Sequence, residues 1–325
     1  MSILEFDVIK QYFSKITNTK NSSKIPLAIG DDAAIVASPQ DKALVICTDT
    51  LNEAIHFPVN TSAYHIGYKA LAVNLSDLAA MGAKPEWFTL NVSLPYIDEK
   101  WIASFSEGLA ELASYYKLDL IGGDTTRGPL SVTITLAGYL QTGQALMRSN
   151  ACVGDKVYLT GCTGEAAYGL CCLQNDKVSP LDNAYFIERL NKPTARVEFG
   201  MALVDIANAC IDVSDGLLAD VQHLSEASEK GIQIDLNSIP LPDIDDSTLA
   251  QKCALSGGDD YELVFTITEE NIPEMKARIQ SINKNLVVTC IGQVVEGEGL
   301  QVFENNKRID ISFKGYQHFK STGEL

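Results

Sequence analysis

Aspartates recur along this chain beside glycine or a hydroxyl residue. They stand in Gly30-Asp31-Asp32, Thr48-Asp49-Thr50, Gly122-Gly123-Asp124-Thr125, Asp212-Val213-Ser214-Asp215-Gly216 and Ser256-Gly257-Gly258-Asp259-Asp260. Taken singly, each motif is ordinary turn or N-cap chemistry. Asp77 is different, because it lies in the otherwise apolar stretch Leu71 to Met81, three residues after Asn74 on the same helical face. A carboxylate buried there must be paired or metal-bound. Several such clusters at the ends of elements, where open sheets place ligands, point together to one convergent site. Carboxylate and hydroxyl oxygens without matching His or Cys select a hard cation. That is Mg²⁺, which keeps waters and takes ligand phosphates as partners, rather than zinc. Bound cations would also relieve the repulsion between the aspartates and an incoming polyphosphate.

Positive groups are few. Arg127 follows Gly-Gly-Asp-Thr-Thr and Arg148 closes the first half. Each reads either as a forked phosphate donor or as a salt-bridge partner. His56, in Ile55-His56-Phe57-Pro58, is either a ligand contact or a packed turn residue. Gly161-Cys162-Thr163-Gly164 lacks the lysine of a P-loop, and no GxGxxG, HExxH or GxSxG occurs. These absences argue against a P-loop ATPase, a Rossmann dehydrogenase and an α/β-hydrolase.

The charge balance, 25 basic against 42 acidic residues or −17, argues against broad binding to nucleic acid or to an anionic membrane. The first ten residues carry Glu5 and Asp7 and no basic run, so no signal peptide is expected. The uncharged stretch between Pro129 and Met147 contains Arg-free alternation of Ser131, Thr133 and Thr135 with Val132, Ile134 and Leu136. Period two is a half-buried strand, not a membrane span. The eight cysteines form no CxxC pair and sit mostly among apolar residues, as in Val45-Ile46-Cys47 and Thr289-Cys290-Ile291. Reduced, buried thiols and a cytoplasmic home are expected.

The elements that must position these residues alternate between helix and strand. Helical spacing covers 3–17, 62–81 and 98–116. Short apolar runs at 33–37 and 43–47 suggest a hairpin, and strands are expected at 87–94, 118–121 and 131–140. A second cycle opens with a strand at 157–160 and helices near 164–174, 182–191 and 195–208. A strand at 210–213 then leads through Ser214-Asp215-Gly216 into a helix ending near 229. Strands at 232–236, 261–267, 286–291 and 300–303 accompany a helix at 270–282. Both halves read as α/β or α+β layers, giving two domains, 1–150 and 151–325.

The motifs in order resemble one family. GDDAAIV (30–36), TDTLNEAIHF (48–57), KALAVNLSDLAAMGAKP (69–85), IGGDTTRGP (121–129), RSNACVGDKVYLTG (148–161), DVSDGLLAD (212–220), SGGDDYEL (256–263) and KGYQHF (314–319) are similar to the motifs of the thiamine-monophosphate kinases. These belong to the PurM-like superfamily with aminoimidazole ribonucleotide synthetase and selenophosphate synthetase. The resemblance implies an N-terminal α/β domain that pairs with its copy in a homodimer, and a C-terminal α/β domain. It places ATP and several Mg²⁺ ions in the cleft between domains. It puts Asp32, Cys47, Thr48, Asp49, Asp77, Asp124, Asp212 and Asp215 at metal positions. Cys47 stands where serine or threonine is common, which leaves it a backbone role. It puts Gly123, Asp124, Arg148 and Ser214 on ATP, and His56, Asp259 and Tyr316 near thiamine monophosphate. Asp259 replaces a usual glutamate and is one methylene shorter, so a contact from it would need a bridging water or a small shift.

The implied reaction is transfer of the γ-phosphoryl of ATP to thiamine monophosphate, with no catalytic general base. Another ATP-dependent synthetase acting on a ribonucleotide, a Mg²⁺-dependent phosphatase and a non-catalytic nucleotide-binding dimer are the alternatives. A selenophosphate synthetase would carry a reactive cysteine near its start, where this chain has none before Cys47. The hydrogenase-maturation relative uses a C-terminal cysteine, and this chain ends Thr-Gly-Glu-Leu.

Overall fold

The computed structural model describes residues 5–16, 23–29, 33–174 and 183–310. The chain forms two compact units, Met1–Leu78 with Ala83–Gly143, and Ala79–Gly82 with Gln144–Leu325.

The first unit is built on a four-stranded sheet in the order β1-β4-β2-β3, with β1 Lys42–Asn52, β2 Lys84–Leu94, β3 Asp119–Arg127 and β4 Ser131–Gln141. The alternation at Ser131 to Leu136 does what period two requires: Val132, Ile134 and Leu136 are fully buried while the hydroxyl residues between them are half-buried. Helix α1 is Glu5–Gln11, α2 is Ala63–Ala80 and α3 is Glu99–Tyr116. Asp98 caps α3 by accepting from the N–H groups of Lys100 and Trp101 at 2.9 and 3.3 Å. The α2 and α3 backbones approach closely through a reciprocal glycine pair. A Cβ on Gly67 would lie 2.2 Å from the Phe105 carbonyl oxygen, and one on Gly108 would lie 1.9 Å from that of Tyr64. No side chain fits at either point.

Three expectations are corrected in this unit. The runs at 33–37 and 43–47 make no hairpin. β1 pairs antiparallel with β4, and Ile35 forms an isolated bridge with Leu27. The Thr48-Asp49-Thr50 motif lies inside β1 rather than at its end, and Gly122-Gly123-Asp124 lies inside β3. The β2–β3 register slips between Phe88 and Thr89, passing over Ile121, after which Gly122 and Gly123 pair with Thr89 and Leu90.

The second unit has a seven-stranded sheet in the order β11-β10-β7-β9-β5-β8-β6. Its strands are β5 Lys156–Thr160, β6 Ala207–Asp212, β7 Gly231–Asp235, β8 Leu263–Ile267, β9 Val288–Val295, β10 Gly299–Glu304 and β11 Lys307–Ile309. Its helices are α4 Glu165–Gln174, α5 Ala184–Asn191, α6 Val197–Leu203, α7 Leu217–Ser228, α8 Ser247–Ser256 and α9 Ile272–Ile282. Leu217, Leu218, Val221 and Leu224 of α7 join one apolar core with Ile211, Ile232, Ile234, Val264 and Ile291 of the sheet. The expected helix at 195–208 stops at Leu203, because its last residues become β6. Helix α8 and strand β11 had no expectation.

All eight cysteines are free, yet only Cys172, Cys210 and Cys253 are buried. Cys290 is exposed, against expectation, since on β9 it alternates with the buried Ile291. Among the described residues no helix is long and apolar enough to cross a membrane.

Candidate active site

In the first unit, β1 and α2 bring Cys47, Asp49 and Asp77 together. Cys47 and Asp49 are two apart on the strand and so share a face. The Cys47 thiol lies 3.4 Å from the Asn74 carbonyl oxygen of α2 and 3.7 Å from Asn74 Oδ1. Burial first, then the charges of Asp77 and Asp49, pushes that thiol far above its usual range. Asp49 and Asp77 are hydrogen-bonded to each other, and burial raises the Asp49 carboxyl while that bond and His56 lower it. Two carboxyl groups can hydrogen-bond only when one of them carries a proton, and a cation between them would take that proton's place. Thr48 turns the other way: its hydroxyl donates to the Ile134 carbonyl at 3.1 Å.

His56 sits in the turn after β1. Its Nδ1 accepts the Asn52 N–H at 2.9 Å, and its carbonyl accepts from Lys69 Nζ at 3.2 Å. Lys69 is 2% exposed on α2, so a buried ammonium holds the turn against the helix.

Gly123 and Asp124 are on β3, at the opposite edge of this sheet. Gly123 pairs with Leu90, Leu90 with Ile134, and Ile134 with Asp49. Gly123 and Asp49 therefore occupy one cross-strand row, three strand spacings or about 14 Å apart. Gly123 has φ 147°, and a Cβ there would lie 1.8 Å from the Leu90 carbonyl oxygen, so only glycine fits. With Asp124, Thr125, Ile9 and Phe13 it lines a cavity of about 670 Å³ within this unit.

In the second unit, Asp212 closes β6 and is 3% exposed. Ser214 and Asp215 follow in the turn to α7, and three consecutive N–H groups of that turn bond to Asp220. Burial, with Asp212 and Asp215 adding their charges, pushes the Asp220 carboxyl up to about 7. The segment 256–262 lies along the same turn: Asp259 N–H donates to the Ser214 carbonyl at 3.0 Å and Tyr261 N–H to that of Val213 at 2.9 Å. Asp259 has φ 71°, and its Oδ1 accepts from the Tyr261 hydroxyl at 3.0 Å. Arg148 is exposed in a short 3₁₀ turn that packs on β6 and α7, and its carbonyl accepts from Ser228 Oγ at 2.6 Å. Asp32 and Tyr316 lie outside the described residues.

The sequence profile of the family described as AIR synthase related protein, N-terminal domain, matches residues 30–140. The thiamine-monophosphate kinase of Salmonella typhimurium is 44% identical over 98% of this chain and 99% of its own length. This chain belongs to the thiamine-monophosphate kinase family. Among solved structures, the thiamine-monophosphate kinase of Stenotrophomonas maltophilia superposes with a TM-score of 0.84 at 41% identity, over 93% of this chain and 97% of that one. A second, AaThiL complexed with AMPPCP and TMP, superposes with a TM-score of 0.74 at 31% identity, over 98% and 99% of the two chains.

No three His, Cys, Asp or Glu among the described residues close around one point. In the first unit Asp49 and Asp77 stand in close company. That suits Mg²⁺, which binds through one or two carboxylates and completes its octahedron with water and phosphate.

Sequence reasoning missed four supporting residues. Lys69 carries the signal that drew attention to Asp77, a charge in an apolar helix. Glu262, wholly buried, accepts from Thr160 at 2.6 Å, Arg196 Nε at 2.7 Å and Arg189 Nη2 at 3.1 Å, which anchors the end of the 256–262 segment. No local pattern could have joined Arg189 and Arg196 to it.

Proposed function

We propose that this chain transfers the γ-phosphoryl group of ATP to the phosphate of thiamine monophosphate, giving thiamine diphosphate and ADP. The observation that carries this reading is the likeness over nearly the whole chain to the Salmonella kinase and to a relative complexed with AMPPCP and TMP. AMPPCP is an ATP analogue that resists cleavage.

The acceptor is a phosphate oxygen, ionised near neutral pH because a phosphate monoester's second pKa is about 6. The reaction therefore needs no general base. The Asn52 amide donates to His56 Nδ1 and fixes the ring in the turn after β1. With His56 we assign Asp259 and Tyr316 to thiamine monophosphate, and Gly123, Asp124, Arg148 and Ser214 to ATP. Asp32, Asp49, Asp77, Asp124, Asp212 and Asp215, with backbone oxygens of Cys47 and Thr48, are assigned to Mg²⁺. Magnesium held there would screen the repulsion between the two phosphates and stabilise charge on the transferring group. The residues' own task is to hold both anions in line. Transfer is direct, with no phosphoenzyme, so a chirally labelled γ-phosphorus should invert; retention would reject that step. The chain works as a cytoplasmic homodimer.

Incubating the protein with ATP, Mg²⁺ and thiamine monophosphate tests the whole reading. Equal amounts of ADP and thiamine diphosphate are expected. Release of inorganic phosphate alone would mark a phosphatase. No turnover here, with turnover of a ribonucleotide, would mark a synthetase.

A further inference from the structure

The turn between β6 and α7 carries Asp212, Ser214 and Asp215 and opens a helix whose N-cap is Gly216, which has no side chain to cap it. The amides of that turn need an acceptor. The N–H groups of Ser214, Asp215 and Gly216 all donate to one atom, Asp220 Oδ2, at 3.0, 3.1 and 3.2 Å. Asp220 stands in the first turn of α7, where its own N–H donates to the Gly216 carbonyl at 3.0 Å, and it is 3% exposed. Successive amides converging on one oxygen form a nest of the kind that holds phosphate at helix starts. Here a carboxylate of the chain fills it.

The other side of the turn is held by different bonds. The carbonyls of Val213 and Ser214 accept from Tyr261 and Asp259, and Val213 N–H donates to the Glu262 carbonyl at 2.8 Å. The segment 256–262 thus fixes the carbonyls, and Asp220 alone fixes three amides in a row. With these amides engaged, the turn has no backbone donors to spare for a nucleotide phosphate at that point. What it can present is its side chains.

We propose that Asp220 is a positioning residue for the metal–nucleotide site. It locks the Ser214–Gly216 peptide planes so that the flanking Asp212 and Asp215 are held for magnesium, and it touches no ligand itself. This rests on the assignment of Asp212, Ser214 and Asp215 to Mg²⁺ and ATP.

The test uses the full chain with Asp220→Ala and Asp220→Asn, the second keeping one acceptor oxygen. Three quantities are read in the folded fraction: the Mg²⁺ concentration for half-maximal rate, KM for thiamine monophosphate, and calorimetric binding of Mg²⁺·AMPPCP. The Mg²⁺ requirement and the AMPPCP dissociation constant should rise at least about tenfold in Asp220→Ala and less in Asp220→Asn, with KM for thiamine monophosphate within about twofold of the parent. A Mg²⁺ requirement and AMPPCP affinity within about twofold of the parent, with rate lost only as thermal stability is lost, would overturn the assignment and leave Asp220 a structural bond. If Asp220→Ala does not fold, Asp220→Asn decides on the same criteria. If the parent makes no thiamine diphosphate, the proposed reaction fails, and the AMPPCP arm still judges Asp220.

Discussion

At the scale of single residues, what matters is how each charge is compensated. Asp77 stands on an otherwise buried helix face, hydrogen-bonded to Asp49 and close to the Cys47 thiol. Asp77→Asn keeps the shape and a hydrogen bond but removes the negative charge that a cation would use. Turnover should fall by about two orders of magnitude or more, the scale for losing one preorganised electrostatic group, with little change in thermal midpoint. Near-normal turnover at saturating Mg²⁺ would reject Asp77 as a metal ligand. The cysteines give a check that does not depend on function. Burial and the nearby Glu165, Asp260 and Glu262 push Cys162 up to about 12, and burial with Cys171 does the same for Cys253. At pH 8 only about one in ten thousand of either thiol is ionised, and the fraction rises about tenfold per pH unit. Iodoacetamide on the native protein should therefore label exposed Cys152 and Cys290 well before Cys162 and Cys253. Mass spectrometry showing Cys162 modified as fast as Cys290 would contradict this environment.

At the scale of elements, α2 positions both Asp77 and Lys69, and its seat depends on the glycine contacts with α3. Gly108→Ala raises helix propensity by about 1 kcal/mol, yet its methyl would lie 1.9 Å from the Tyr64 carbonyl oxygen. Overpacking against backbone outweighs propensity, so a net loss of roughly 1–3 kcal/mol is expected in denaturant unfolding. An unchanged or raised midpoint would mean that the helices do not pack this closely. Neither glycine announces this role in the sequence, because both sit inside ordinary helical spacing. The sequence was informative where one local rule dominates. The apolar run at 62–81 became α2 and the hydroxyl alternation at 131–140 became β4. Asp98 before an amphipathic run became the α3 cap. It misled where partners are remote: residues 33–37 and 43–47 looked like a hairpin because the true partner of β1 lies some ninety residues on. The acidic site motifs were legible as motifs. The nest around Asp220 was half legible, since DVSDGLLAD includes the residue but not the direction in which three amides turn.

At the scale of the whole molecule, charge and apolar exposure compete. The chain carries −17, and like charge opposes pairing of copies. Strand β1 nevertheless lies at the edge of its four-stranded sheet, eleven residues long, with Leu44 46% and Ile46 56% exposed. A long edge strand with apolar side chains in water invites pairing with another chain. If β1 is the seat of the proposed homodimer, association is driven by apolar burial and opposed by long-range repulsion. Added salt screens the repulsion within about 10 Å at 0.1 M and leaves the apolar contribution in place. The dissociation constant should therefore fall between low and moderate ionic strength, the reverse of an assembly held by ion pairs. Light scattering should give twice the chain mass at moderate salt. Ile46→Asp, a charge in the middle of the strand, should return it to one chain mass while thermal unfolding stays cooperative. A dimer that survives Ile46→Asp, or that weakens as salt is added, would place the pairing surface somewhere other than β1.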